Sequence, residues 1–313
     1  MARHHQTGSL MLLLAAVIWG SAFVAQSMGM DFIQPFTFQA VRSLMGAAAL
    51  LPVILLFGRL KRQKNGQRDP AADPVAGAES AGHLLKGGLL CGLCLFAAIN
   101  LQQFGLVETT AGKAGFLTAL YILIVPIYGL FLGHRPRPAL WLAVLIAAAG
   151  LYLLSVTEQF MISRGDLLLI LCAFFFAGQI LLVDHYSERT NGVKLCAVQF
   201  LVCGLLSLVC MLLFEQPSLP AILDAAGPLL YAGVLSSGVA YTLQILAQRT
   251  TPPAIASLLM SLEAVFAVVA GMLVLGEMPS AREVLGSALM FAAIVFAQRS
   301  TLPGGAQEAP QDA

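Results

Sequence analysis

Charged side chains are scarce in this sequence. Only 11% of its 313 residues are Asp, Glu, Lys or Arg, against about 25% in a typical soluble domain. A soluble fold of this length would lack the charged residues that normally cover its surface. The hydrophobic share is 58%, and the charges fall in short clusters between long apolar stretches, so lipid is the expected solvent.

The sequence also lacks a strong excess of either sign of charge, because its formal net charge is +1. Binding to a nucleic-acid backbone requires a basic surface. Nucleic acid is therefore excluded as a partner.

Motifs for catalysis or cofactor binding are absent as well. There is no H-E-x-x-H, no G-x-S-x-G and no P-loop, and the last absence argues against direct use of ATP by this chain. The six cysteines lie in apolar stretches, where cysteine commonly behaves as a small hydrophobic residue. Cys91 and Cys94 form a single C-x-x-C without the second pair that a tetrahedral metal site needs. The sequence predicts no metal, no cofactor and no enzyme.

Ten apolar runs are present, each near the roughly 20 residues that span a bilayer. They predict an all-α integral membrane fold of ten transmembrane helices. The runs are Leu10–Met28, Phe36–Phe57, Leu84–Leu106, Thr110–Leu132, Ala139–Val156, Asp166–Val183, Lys194–Phe214, Pro228–Ala247, Pro253–Leu275 and Val284–Ala297. Residues 58–82 are predicted to form a flexible cytoplasmic loop, and residues 300–313 a disordered cytoplasmic tail.

An internal repeat divides the runs into two sets of five. Residues 8–10 (Gly-Ser-Leu) match residues 165–167 (Gly-Asp-Leu) at an offset of 157. Farther along, residues 132–136 match residues 275–279 at an offset of 143. The sequence thus predicts five-helix repeats over 1–157 and 163–299. Since five crossings are an odd number, the second repeat is expected to be inverted, as in many secondary transporters.

The positive charges predict the orientation in the membrane. If the N-terminus is cytoplasmic, thirteen of the seventeen Lys and Arg residues fall at cytoplasmic positions. Cytoplasmic loops of membrane proteins carry such an excess. We therefore expect a multi-pass protein of the cell (inner) membrane with both termini in the cytoplasm.

Glu263 is the strongest candidate for a functional residue. It lies ten residues after Pro253, about 15 Å along a helix and so near the bilayer midplane. A carboxyl group at that depth must face protein or a wet cavity. Two interpretations stay open: a solute or proton site, or a hydrogen-bonded residue that only packs helices.

Arg42 is the second charged residue inside an apolar run. It lies six residues into the second run, about 9 Å below the outer face. Its long side chain either reaches back to the interface or lines a cavity, where it could hold an anionic group of the solute or balance Glu263. Gln199 is its counterpart in the repeat.

Uncharged polar residues cluster on the first four helices of each half. Together with Arg42, Gln199 and Glu263, these uncharged residues predict a central cavity. Each uncharged residue alone is equally well explained by a hydrogen bond between helices. The proposed lining residues are Trp19, Asn100, Gln103, Tyr121, Gln179, Tyr241 and Gln244, with Gln39, Gln102 and Thr118 as further candidates. Helices five and ten are nearly free of central polar residues and are expected at the periphery.

Several segments resemble the EamA family of the drug/metabolite transporter (DMT) superfamily. They are residues 18–23 (Ile-Trp-Gly-Ser-Ala-Phe), 41–42 (Val-Arg), 109–116 (Thr-Thr-Ala-Gly-Lys-Ala-Gly-Phe), 261–267 (Ser-Leu-Glu-Ala-Val-Phe-Ala) and 275–277 (Leu-Gly-Glu). The resemblance implies ten helices in inverted halves, a cavity lined by helices 1 to 4 and 6 to 9, and export or exchange of small metabolites. The family's usual Leu-Glu-Pro pattern reads Leu-Glu-Ala here.

These observations favour a secondary transporter that exports or exchanges amino acids or related small metabolites by alternating access. Its expected partners are a small-molecule solute, the lipid bilayer and a proton coupled through Glu263; no oligomeric state is predicted. The alternatives are an integral membrane enzyme acting on lipid or isoprenoid substrates and a membrane scaffold. The enzyme would need a cluster of carboxylate or His residues at one interface, and a scaffold would need no wet cavity.

The predicted orientation can be tested with substituted cysteines in a background where the six native cysteines are replaced. A membrane-impermeant maleimide should label a cysteine at Lys113 in intact cells, because that position is expected outside. It should label a cysteine at Arg299 only after permeabilisation. Labelling of the Arg299 position in intact cells would contradict the orientation.

Overall fold

The computed structural model describes residues 2–65, 81–133, 136–155, 163–275, 278 and 280–301, and within these ranges every regular element is helical. The helices are α1 (Ala2–Gly29), α2 (Pro35–Asn65), α3 (Ala81–Val107), α4 (Ala111–Ala119), α5 (Tyr121–Phe131), α6 (Pro138–Ser155), α7 (Arg164–Ser187), α8 (Gly192–Phe214), α9 (Leu219–Asp224), α10 (Ala226–Leu230), a π-helix (Tyr231–Ala240), α11 (Tyr241–Gln248), α12 (Pro253–Met260), α13 (Glu263–Leu275) and α14 (Ala281–Thr301).

Eight helical segments in the described ranges are long and apolar enough to cross a membrane. They are Thr7–Gly29, Pro35–Leu56, Ala81–Val107, Ala111–Phe131, Arg164–Ser187, Gly192–Phe214, Ala226–Gln248 and Pro253–Val274. A shorter apolar helix covers Pro138–Leu153. The chain is therefore a multi-pass membrane protein. The total of ten spans stays a prediction, since the last run, in α14, is not among the eight.

Helix boundaries differ from the predicted runs in two ways. The predicted loop over 58–82 begins as helix, since α2 continues to Asn65 and α3 starts at Ala81; residues 66–80 lie outside the described part. Leu, Lys, Arg and Gln at positions 60–64 are good helix formers, so α2 can continue beyond the lipid. The predicted tail likewise begins as helix at 300–301, and residues 302–313 are not described.

Two runs predicted as single helices are each interrupted. The run over 110–132 consists of α4 and α5, separated at Leu120. The run over 253–275 consists of α12 and α13, separated at Ser261 and Leu262. The second members, α5 and α13, begin 142 residues apart, at Tyr121 and Glu263. This pairs Tyr121 with Glu263, whereas the offset of 143 paired Tyr121 with Ala264.

The main packing contacts join the predicted first half to the predicted second half. Helix α2 packs on α8 and the π-helix, α3 on α7 and α8, α1 on α13 and α11, and α6 on α14. Contacts between helices of the same half are fewer. The largest hydrophobic cluster accordingly contains buried residues from both halves, and two smaller clusters lie beside it.

The backbones of α1 and α13 touch at Gly20. A methyl group at this position would lie 2.5 Å from the Cβ of Phe266 and 2.6 Å from the carbonyl oxygen of Glu263. Only a residue without a side chain permits this approach. Gly20 thereby holds α1 against the first turn of α13.

Charged groups join the halves at helix ends. Lys113 Nζ lies 2.7 Å from Asp166 Oδ2, linking α4 to α7. Asp166 also completes a capping box with Ser163 at the start of α7. After α8, the Glu215 carboxylate accepts hydrogen bonds from the backbone N–H of Phe36 (2.8 Å) and Thr37 (2.7 Å), which caps the N-terminus of α2.

Gly20→Ala should destabilise the protein by about 1–3 kcal/mol, the usual cost of overpacking a close contact. Gly112→Ala is the matched control, because its new methyl group would meet only Val268 Cγ2, at 4.0 Å. The thermal unfolding midpoints of both variants in detergent are the measurement. Equal midpoints for the two variants would show that α1 and α13 do not depend on this contact.

Candidate solute-binding cavity

A cavity of about 30 Å³ lies among the helices of both halves. Neither α6 nor α14 contributes to its wall. The lining residues are Trp19, Phe23, Gln26, Arg42, Gln102, Thr118, Tyr121, Phe176, Gln179, Ile180, Ser236, Tyr241, Gln244, Met260 and Glu263.

Most residues proposed from the sequence meet at this cavity. Seven of the ten line it, and the further candidates Gln102 and Thr118 do so too. The seven are Trp19, Arg42, Tyr121, Gln179, Tyr241, Gln244 and Glu263. Both buried charged residues of the sequence analysis therefore face one cavity.

The other three proposed residues are not part of the lining. Asn100 donates to Ser207 Oγ (3.0 Å) and bonds α3 to α8. Gln103 accepts from Gln39 (2.9 Å), between α3 and α2. Gln199 accepts from Gln179 (3.3 Å) and so stands one hydrogen bond behind the wall. Each of the three therefore makes a side-chain hydrogen bond to another helix, which supplies a partner that lipid lacks.

Tyr121 and Glu263 form a hydrogen bond at the two helix interruptions. The Tyr121 hydroxyl donates to Glu263 Oε1 at 2.9 Å, and the two residues are 4% and 5% exposed. Each is the first residue of the helix after its interruption. The contact therefore joins the two helix interruptions at the cavity wall.

Arg42 is held inside the protein rather than at the interface. It is 2% exposed, and its guanidinium donates to Gln26 Oε1 (2.7 Å), Ser236 Oγ (3.2 Å) and Ser237 Oγ (3.3 Å). Arg42 is thus buried, and its side chain lines the cavity.

A π-helix positions the serines that bind Arg42. It runs from Tyr231 to Ala240, and Ser237 Oγ donates to the carbonyl of Ala232, five residues earlier. Such helices are rare and often lie at functional sites. The Tyr231 hydroxyl lies 2.5 Å from Ser21 Oγ and ties the π-helix to α1.

Aromatic rings form much of the remaining wall. Trp19 and Tyr241 pack edge to face with centroids 4.7 Å apart. Tyr121 and Phe176 make a similar contact at 6.5 Å. The cavity therefore combines apolar surfaces with the guanidinium group of Arg42 and the carboxyl group of Glu263.

Two polar atoms at the wall have no hydrogen-bond partner in the described part of the chain. They are the indole nitrogen of Trp19 and the amide oxygen of Gln244. The Gln244 amide nitrogen is engaged, since it donates to Gln179 Oε1 at 3.2 Å. These residues of the wall thus include one buried donor and one buried acceptor without a partner among the described residues.

Metal binding finds no support in the described ranges, where no group of three His, Cys, Asp or Glu side chains is placed to hold an ion.

Several residues that line the cavity were not predicted from the sequence. Phe23 and Gln26 stand four and seven residues after Trp19, on the same helical face, so a helical projection from Trp19 would have found them. Ser236 gave no such signal, because hydrophobic periodicity does not reveal a π-helix.

The sequence model of the EamA-like transporter family matches residues 6–156 and 163–298. The chain belongs to the EamA-like transporter family. The resemblance predicted from the sequence is therefore confirmed.

Relatives of this EamA-like protein extend over most of its length. An uncharacterized transporter of Archaeoglobus fulgidus is 29% identical over 290 residues, covering 91% of this chain and 83% of the relative. The uncharacterized transporter YwfM of Bacillus subtilis is 28% identical over 289 residues, covering 90% of each chain. A protein known from its crystal structure superposes with a TM-score of 0.75 at 18% identity, covering 95% of this chain and 99% of the other. This last likeness shows a shared fold.

Tyr121→Phe should destabilise this EamA-like protein by about 1–3 kcal/mol, because it leaves a buried carboxyl oxygen without its donor. Tyr128→Phe is the control on the same helix, since its hydroxyl bonds to no other described residue. Thermal unfolding in detergent compares the two. If Tyr121→Phe unfolds at the same temperature as Tyr128→Phe, the contact with Glu263 contributes nothing to stability.

Proposed function

We propose that the protein is a secondary transporter of the cell (inner) membrane that exports or exchanges amino acids or related small metabolites by alternating access. The observation that carries the proposal is one cavity with Arg42 and Glu263 in its wall, formed by helices from both predicted halves. The names of the relatives from Archaeoglobus fulgidus and Bacillus subtilis, both transporters, support it.

The proposed architecture is ten spans in two inverted halves, with both termini in the cytoplasm. In it, α6 and α14 supply the last span of each half. Their packing on each other supports this, with Ala143, Ala147, Met290 and Ala293 all fully buried. The equivalent interruptions before Tyr121 and Glu263 support the two-fold relation.

Alternating access requires contacts between the halves to separate on one side of the cavity at a time. The Lys113–Asp166 ion pair and the Glu215 cap on α2 link the halves near helix ends. Such contacts are suited to closing one side, because water can solvate the freed charges when that side opens. In the predicted topology both contacts lie at the outer face, and the packed core below them would act as the pivot.

Glu263 is the proposed proton carrier. One of its carboxyl oxygens bonds to Tyr121, while its side chain lines the cavity. A carboxyl group in this position can take up a proton when the cavity faces one side and release it toward the other. Coupling follows if the proton and the solute occupy the cavity in alternation.

Amino acids and similar metabolites suit the chemistry of the wall. Aromatic rings contact an apolar side chain, and the Trp19 donor and Gln244 acceptor meet polar groups. The enzyme alternative has no support in the described residues, which hold no cluster of His and carboxylate side chains.

Glu263→Gln should abolish solute uptake driven by a pH gradient, because an amide carries no proton between the two sides. Purified protein in proteoliposomes would be screened with radiolabelled amino acids, with and without the gradient. Glu188→Gln is the matched control, since Glu188 is exposed at the end of α7.

If the Glu263→Gln variant still exchanges labelled for unlabelled solute, the substitution has removed only the coupling to protons. Unchanged pH-driven uptake by this variant would contradict the proton role. No uptake of any screened amino acid by the unmodified protein would contradict the proposed solute class.

A further inference from the structure

Arg42 lies inside the membrane core without a counter-charge. Its three hydrogen-bond acceptors, Gln26, Ser236 and Ser237, are all neutral. In the described part of the chain, no carboxylate contacts it. A buried cation in this state is costly, and such residues mark solute or ion sites.

Glu263 does not supply the missing charge. Among the described residues, no hydrogen bond or ion pair joins Arg42 to Glu263, and the Glu263 carboxyl group bonds to Tyr121 instead. Arg42 and Glu263 thus line one cavity without contacting each other. The cavity has a cationic end at Arg42 and a carboxyl end at Glu263.

The guanidinium has donors to spare. Arginine carries five N–H groups, and three of them are used in the bonds to Gln26, Ser236 and Ser237. Its planar fork is suited to a carboxylate, whose two oxygens accept parallel hydrogen bonds. Because Arg42 itself lines the cavity, a solute in the cavity can reach it.

We propose that Arg42 is the subsite that binds a carboxylate of the transported solute; this rests on the proposed transport function and names a chemical class for it. One carboxylate balances the single positive charge. A phosphate dianion would leave one negative charge unpaired in a medium of low dielectric constant, which is unfavourable. The aromatic rings of Trp19 and Tyr241 then contact the remainder of the solute.

The protein contains a built-in reporter for this binding. It has two tryptophans: Trp19 lines the cavity, while Trp141 lies on α6, which contributes nothing to the wall. In a Trp141→Phe variant, all tryptophan fluorescence comes from the cavity. In a Trp19→Phe variant, it comes from α6 and serves as the control.

The experiment titrates purified full-length Trp141→Phe protein in neutral detergent with acetate, 4-methylpentanoate and L-leucine at constant ionic strength. The uncharged 4-methylpentanamide and the amine 3-methylbutylamine are the matched compounds without a carboxylate. We expect saturable changes in Trp19 fluorescence with the carboxylates alone and no change in the Trp19→Phe control.

Arg42→Gln in the same background should weaken carboxylate binding about tenfold or more, since it removes a charge-assisted hydrogen bond. Arg42→Lys keeps the charge and loses the fork, so it should bind more weakly than Arg42 and more tightly than Gln. The lysine variant also keeps the test decisive if Arg42→Gln does not fold.

Several outcomes would overturn the proposal. They are no saturable response to any carboxylate, equal affinity for acid and amide, and affinity unchanged in both Arg42 variants. Two further titrations, with chloride and with phosphatidylglycerol in mixed micelles, test whether other anions bind at Arg42. If chloride competes with the carboxylates at equal strength, the site is a general anion site. If phosphatidylglycerol does so, it is a lipid site. Because binding is read without transport, failure of the uptake assay and failure of this test are independent results.

Discussion

Lipid supplies no hydrogen-bond partners, so polar side chains in the core of the protein must find their partners on neighbouring helices. Amides on neighbouring helices bond to one another, as Gln39 and Gln103 do between α2 and α3. The same demand brings Asn100 to Ser207 and Gln199 to Gln179. Side chains that would be costly alone in hydrocarbon thus become contacts that join particular helices and specify the packing.

Departures from regular α-helix occur where the cavity is formed. The π-helix presents Ser236 and Ser237 to Arg42, and the interruptions before α5 and α13 place Tyr121 and Glu263 against each other. Irregular backbone at membrane depth is tolerated where it is enclosed by protein or lines a cavity. These features therefore coincide with the site for a physical reason, since the cavity wall is where backbone and side chains can bond without facing lipid.

Much of the site was predictable, and the reasons for the exceptions are specific. Glu263 and Arg42 were identified because charge is rare at membrane depth, and the structure places both at one cavity. Polarity alone could not show that Gln179 lines the cavity whereas Gln199 does not line it and only bonds to Gln179. That difference depends on which way each helix faces, and apolar runs hydrophobic on all sides carry no such information. Likewise, the serines that bind Arg42 lie on a π-helix, and hydropathy does not reveal this backbone conformation.

The amino-acid sequence by itself determined that the chain is a multi-pass helical membrane protein resembling the EamA family, because scarcity of charge and the length of apolar runs depend on composition and order alone. Only the tertiary structure decided that Arg42 is buried among neutral acceptors, that Tyr121 bonds to Glu263, and that both charged residues share one cavity. These facts depend on the approach of helices far apart in the chain, which is set by close contacts such as Gly20 against Glu263. Such contacts arise from the complementary shapes of two surfaces, and a linear pattern specifies neither the partner nor the distance.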